Sequence, residues 1–142
     1  MEIRNISFDS YDSLIALWER SGLSYRPEGR DAKEGMKIEF ERNPDLLIGA
    51  FEDNELIGAI IGTDDGRKGW INRLAVDPNY RKKGVATDLI YALESALKKR
   101  GRRIICTLIE DWNENSLSLF KNAGYIKHKD IFYLSKREGD HV

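Results

Sequence analysis

One cysteine in 142 residues closes no internal disulfide, so the chain is not a disulfide scaffold and a reducing cytoplasm is the expected compartment. No apolar run approaches the roughly 20 residues that cross a bilayer. The opening Met1-Glu2-Ile3-Arg4-Asn5 has no basic start leading into an apolar stretch, so no secretory signal is read there. Neither histidine, His128 or His141, has a partner at ligand spacing, and no metal is expected. Repeats, low-complexity tracts and linkers are also missing, which leaves a single domain over residues 1–142. What is present is material for a core: 41% of residues are hydrophobic and 10% aromatic, which excludes a disordered chain.

Net charge is only −1, but it is unevenly spread. Residues 1–66 carry 7 basic and 15 acidic groups, whereas residues 78–103 carry 8 basic and 2 acidic. A basic segment inside an acidic protein points to one local anion site and disfavours a general nucleic-acid surface. Five of those cations, Lys98, Lys99, Arg100, Arg102 and Arg103, also suit the negative end of a helix dipole, which would explain them without a ligand.

Ile3–Ile6 reads as a strand. Asp9 or Ser10 can cap a helix that buries Leu14, Ile15 and Trp18 and ends at Gly22. A loop with Tyr25, Arg26 and Arg30 leads to a second helix over 31–42, stopped by Pro44. Strands over 46–52 and 56–63 are joined by Asp53-Asn54, residues that tolerate the positive φ of a tight hairpin. Asp64-Asp65-Gly66 turns the chain into a strand over 70–76. Val85, Ala86, Leu89, Ile90, Leu93, Ala96 and Leu97 then recur at helical spacing, and Gly101 ends that helix. Residues 104–109 are continuously apolar, as in a strand covered on both faces, which would bury Cys106 as an inert thiol. A helix over 113–122 and strands over 125–128 and 131–135 complete an α/β, mixed-sheet order of βααβββαβαββ.

Leu74-Ala75-Val76-Asp77-Pro78-Asn79-Tyr80-Arg81-Lys82-Lys83-Gly84-Val85-Ala86 runs from a strand through a turn into a helix start. The first amides of a helix lack internal acceptors and, with the dipole, attract anions. Arg81, Lys82 and Lys83 add positive charge, while Gly84 and Ala86 leave the amides approachable. This is a diphosphate site in its chemistry.

The segment resembles the R/Q-x-x-G-x-G/A motif of the GNAT (GCN5-related) N-acetyltransferases. Downstream, Asn113, Ser116, Leu119, Phe120, Gly124 and Tyr125 resemble that family's N-x-x-[AS]-x-x-L-[YF]-x-x-x-G-[FY] pattern. The element order is similar over nearly the whole chain. The resemblance implies a mixed sheet whose strands ending at Val76 and Ile109 splay apart to admit acetyl-CoA. Leu74, Ala75 and Val76 would pair with the pantetheine arm like an added strand. The amides from Lys82 to Thr87, Val85 among them, would hold the diphosphate. Asn113, Ser116 and Phe120 would border the pantetheine and thioester, although Asn113 also suits a helix cap.

The implied chemistry is direct attack of an amine on the thioester, with the Leu74 N–H at the developing oxyanion. The chain departs from the family where many members carry a tyrosine, because Phe120 has no proton to give the thiolate. Tyr133 or Tyr125 would serve instead, or the thiolate leaves unaided. Asn72 and Arg73 stand where many members have a glutamate, so Glu110, beside Asp111, is the base expected. Tyr25, Arg26 and Arg73 are the substrate-side residues expected, and Trp112 would line the cleft or cap the core. The resemblance also admits a homodimer. Three functions follow: an amine acetyltransferase, a catalytically weak acyl-CoA-binding module, and, least supported, a nucleic-acid binder using Lys98–Arg103.

Overall fold

Residues 1–140 are described in the computed structural model, so His141 lies outside the described residues. The strands are β1 (Glu2–Asn5), β2 (Leu47–Glu52), β3 (Glu55–Asp64), β4 (Gly69–Val76) and β5 (Ile105–Thr107). The helices are α1 (Tyr11–Ser21), α2 (Lys33–Arg42), α3 (Val85–Lys99) and α4 (Glu114–Asn122). The sheet order is β1-β2-β3-β4-β5, antiparallel except for β5, which runs parallel to β4. The expected mixed sheet is therefore present, with α3 as its one crossover.

Local signals set most boundaries. Asp53 and Asn54 take φ of 51° and 67°, as the β2–β3 hairpin requires. Gly22 adopts φ 78° after α1, and Gly101 and Gly124 take 89° and 97° beyond α3 and α4. Ser10 stands at the start of α1 but makes no side-chain cap.

The sheet is packed on both faces. On one, Leu14, Leu17 and Trp18 of α1 and Met36 and Phe40 of α2 meet Leu47, Ala59, Ile61 and Ala75. Leu17 rather than Ile15 completes the buried stripe, Ile15 being half-buried. On the other face, Val85, Leu89, Ile90, Leu93 and Leu97 of α3 meet Ile48, Ala50, Ile57, Ile60 and Ile71. This helix seats on a row of glycines. A Cβ at Gly62 would lie 2.7 Å from a Leu93 methyl, and one at Gly69 would lie 2.6 Å from a Leu97 methyl.

The C-terminal third corrects three expectations. β5 spans three residues instead of six, and Ile104 and Leu108 are more than half exposed, so it is not covered on both faces. Cys106 is consequently only half-buried. Residues 125–128 and 131–135 form no strands, so the order βααβββαβαββ loses its last two members. The reason is a missing neighbour: no backbone hydrogen bond joins residues 126–135 to another described residue.

Candidate active site

β4 and β5 pair only through Gly69–Ile105, Trp70–Cys106 and Ile71–Thr107. Beyond Ile71 the two strands part, and residues 72–76 of β4 keep β3 as their sole strand neighbour among the described residues. The expected splay is thus visible in the register.

The register also tells which backbone groups face the gap. Opposite residues of an antiparallel pair alternate between exchanging hydrogen bonds and turning their polar groups outward. Asp77 lies one step beyond the Val76–Gly58 pair and donates its N–H to the Ile57 carbonyl at 2.8 Å. Counting back, Ala75 and Arg73 bond to β3, while Val76 and Leu74 direct N–H and C=O into the gap. Their side chains pack on the α3 face, so the outward groups are backbone alone.

The turn after β4 is braced from within. Asp77, 5% exposed, accepts from the Asn79 amide at 2.8 Å and from Arg20 Nε at 2.7 Å. The Asn79 amide first, and the Arg20 guanidinium second, hold the Asp77 carboxyl below the usual range. Arg20 also donates to the Leu56 carbonyl at 2.8 Å, tying the end of α1 to β3. Arg81 reaches the Ser21 carbonyl at 3.2 Å, so its side chain is partly engaged.

After Arg81 the chain winds sharply. Lys82 takes φ 63°, unusual for a residue with a Cβ, and Gly84 takes 83°. Such alternation turns successive amides toward one concavity. The first α3 amide with a helical acceptor is Asp88, which donates to the Gly84 carbonyl at 3.0 Å. No side chain caps the helix, and a Cβ at Gly84 would meet nothing within 4 Å. The N–H groups of Val85, Ala86 and Thr87 therefore face an open cradle, with the exposed cations of Arg81, Lys82 and Lys83 at its rim. These residues fit a diphosphate, and Leu74 and Val76 fit an amide-bearing arm.

Beyond β5, Asn113 caps α4 by accepting from the Ser116 amide at 3.2 Å. Phe120 is 5% exposed and stands edge-on to Tyr125, centroids 5.1 Å apart. Tyr125 donates its hydroxyl to Glu94 of α3 at 2.6 Å, and burial with that bond raises its pKa far above the ordinary phenol. It is held as a core proton donor. Glu110 is exposed beyond β5, and Trp112, 72% exposed, caps no core. Tyr133, 66% exposed, lies on the C-terminal segment that pairs with no strand among the described residues.

The substrate-side trio does gather. Arg73 Nη2 pairs with Asp31 Oδ2 at 2.6 Å, both side chains nearly buried. Asp31 Oδ2 also accepts from the Arg26 amide at 2.5 Å, and Arg73 also donates to the Ser24 carbonyl. Burial pushes the Arg73 pKa down, and Asp31 pulls it back up. Tyr25 packs 6.3 Å from the Trp18 ring and donates to Glu19. Arg73 thus fastens the α1–α2 loop to β4. Sequence reasoning missed Asp31, Asp77 and Arg20, whose partners lie 42 and 57 residues away.

The basic run after α3 is mostly spoken for. Arg100 binds Asp45 at 2.5 Å and Asp64 at 3.4 Å, and Arg102 pairs with Asp64 at 2.8 Å. These two cations clamp the helix end to the sheet.

A model of the Acetyltransferase (GNAT) family matches residues 8–125. Acetyltransferase SG1711 of Sodalis glossinidius is 34% identical over 137 residues, 96% of this chain and 95% of that protein. The PaiA N-acetyltransferase of Thermoplasma acidophilum, solved with coenzyme A, is 25% identical with a TM-score of 0.75, covering 86% of this chain and 87% of that one. The aminoglycoside N-acetyltransferase AAC(6')-Iy, also solved with CoA, shares the fold at a TM-score of 0.74 and 19% identity, over 96% and 94% of the two chains.

Proposed function

This chain belongs to the acetyltransferase (GNAT) family, and from that premise we propose that it transfers the acetyl group of acetyl-CoA to a primary amine. One observation carries the reading: an unpaired length of β4 leads, through a braced turn, into the uncapped amides of α3. An elongated donor with a diphosphate at one end and amides along its arm suits that layout. The diphosphate sits on the amides of residues 82–87 with Arg81, Lys82 and Lys83 around it. The pantetheine amides pair with the outward groups of Val76 and Leu74. Asn113 and Ser116 line the facing wall.

The amine nitrogen attacks the thioester carbon, and the C–S bond breaks once the tetrahedral intermediate collapses. The Leu74 N–H faces the gap and stabilises the oxyanion, a kind of contact that elsewhere is worth roughly 3–4 kcal/mol. The attacking amine must be neutral, so its ammonium gives a proton to Glu110 through water. The thiolate departs with Phe120 beside it and takes a proton from solvent, and solvent in turn receives the proton that the nitrogen sheds on becoming an amide. The α1–α2 loop, with Tyr25 and Arg26, borders the acceptor, and Arg73 holds that loop in place. The acceptor is a protein N-terminus, a lysine or a small-molecule amine; the aminoglycoside enzyme noted above acts on one such small molecule.

A weaker binding module is favoured by one fact: Phe120 has no proton to give the thiolate, and the Tyr125 hydroxyl proton is committed to Glu94. A melting curve followed by thiol release separates the readings. Acetyl-CoA at 100 times its Kd should stabilise the fold by about 2.7 kcal/mol, several degrees of Tm. Thiol release with an amine panel then supports the enzyme, and a shift without release supports the module. No shift at millimolar acetyl-CoA overturns both.

A further inference from the structure

Resting on the acetyl-transfer reading above, we propose that the acceptor amine carries carboxylate groups, which the guanidiniums of Arg26 and Arg30 read at the thioester end of the cleft. The α1–α2 loop runs back along β4 from the donor cradle. Arg81 donates to the Ser21 carbonyl at 3.2 Å, whereas Arg73, next to Leu74, donates to the Ser24 carbonyl and pairs with Asp31 at 2.6 Å. The turn over residues 26–31 is thereby held beside Leu74, whose N–H faces the gap, and away from the amides of residues 82–87.

That turn fixes the backbone of both arginines and leaves their side-chain ends free. The Arg26 carbonyl accepts from the Gly29 and Asp31 amides, each at 3.0 Å, and the Arg26 amide donates to Asp31 Oδ2 at 2.5 Å. The Asp31 carbonyl accepts the Tyr11 hydroxyl at 2.8 Å. Arg30 lies within the loop so closed, one residue before Asp31. Among the described residues, neither guanidinium has an ion-pair or hydrogen-bond partner. The arginines that tie elements together are paired: Arg20 with Asp77, Arg73 with Asp31, Arg100 with Asp45 and Arg102 with Asp64.

The charge at this place is unbalanced. Asp31, 3% exposed, spends its Oδ2 on Arg73 and on the Arg26 amide. Glu19 accepts the Tyr25 hydroxyl, and the exposed Glu28 makes no ion pair with either arginine. Burial lowers the Arg73 pKa, Asp31 opposes that, and the charges of Arg30 and Arg26 lower it further, so the cations crowd one another. A carboxylate on the acceptor relieves that crowding, and a second cation adds to it. A planar guanidinium also matches a carboxylate at two points. The acid excess of residues 1–66 draws cationic amines from a distance, but the free groups beside Leu74 have the opposite sign. Free dicarboxylic amino acids and peptides that open with acidic residues both offer this chemistry.

Thiol release from acetyl-CoA is measured with glutamate and with a peptide opening in two glutamates, each against its neutral amide, and with a cationic diamine. In at least one pair kcat/KM should favour the carboxylated member by about tenfold or more, the worth of one charge-assisted hydrogen bond. Which pair shows it separates a free amino acid from a peptide end. The double variant Arg26→Glu/Arg30→Glu should invert the preference and keep the melting shift with acetyl-CoA. Equal rates, or a preference for the diamine, overturn the proposal and leave acetyl transfer standing. A melting shift lost in the variant puts these arginines on the donor, and also overturns it. If no amine releases thiol, calorimetry of the glutamate peptide on the CoA-loaded protein decides. Binding that the double variant abolishes upholds the carboxylate site on a binding module, and no binding overturns it.

Discussion

Asp31 and Arg73 illustrate how a side chain's task can differ from the one its neighbours suggest. Arg73 sits beside Leu74 and reads locally as a group for the acceptor. In the fold its guanidinium lies 4.7 Å from the Trp18 ring centre and is bonded to Asp31, so it is the fastening of a loop. No spacing rule connects residues 42 apart, which is why this tie was illegible in the sequence. Removing one member leaves the other charge buried and unpaired. Asp31→Ala should therefore cost about 3–5 kcal/mol in urea unfolding. A cost under about 1 kcal/mol would show that Arg73 finds water instead. Acid tests a second set of carboxyls. Asp45, Asp64 and Asp77 are held below the usual range, and the backbone amide of Lys68, then the Trp70 indole, hold Asp65 at about 2. A depressed folded-state pKa contributes stability above the unfolded value and loses it on protonation. The Tm should thus hold down to about pH 4 and fall between pH 4 and about 2. A Tm unchanged at pH 2.5 would contradict these assignments.

At the scale of elements, legibility followed the number of local signals. α3 has apolar residues at helical period and a glycine at its end, and its observed span matches the expectation within a residue. The Asp53-Asn54 hairpin was equally plain. What the sequence did not reveal is that Gly62 and Gly69 form the seat of α3, because nothing local says which helix will cross them. Gly62→Ala pushes a Cβ into Leu93 and toward the Trp70 carbonyl, 3.2 Å away, and should cost about 1–3 kcal/mol by denaturant melt. The diphosphate cradle separates conformation from room. A Cβ at Gly84 has space, but φ 83° does not suit it, so Gly84→Ala should lower stability by about 1–2 kcal/mol. The same change should weaken acetyl-CoA binding by more than tenfold in calorimetry, since relaxing that φ swings the Val85 and Ala86 amides away. Unaltered affinity would argue that the diphosphate binds elsewhere. The strands over 125–128 and 131–135 were misread for the opposite reason: their composition is strand-like, but a strand exists only where another pairs with it.

The whole molecule is a layered mixed sheet with one seam. Family motif and fold were legible together because the proposed donor cradle, residues 74–87, is continuous in sequence. The tie between the α1–α2 loop and β4 was not, since that loop reaches β4 only through the folded sheet. The strand order along the sheet repeats the order along the chain, and that has a bearing on how the protein comes into being. Each strand, once made, finds its partner already in place, and the β2–β3–β4 meander joins neighbours through turns of a few residues. Loop-closure entropy is correspondingly small for that unit, and refolding of the meander should be a fast phase, with β5 joining afterwards. During synthesis the proposed donor-binding strand would thus be built from its open side, β4 being complete before the ribosome has released β5 and α4.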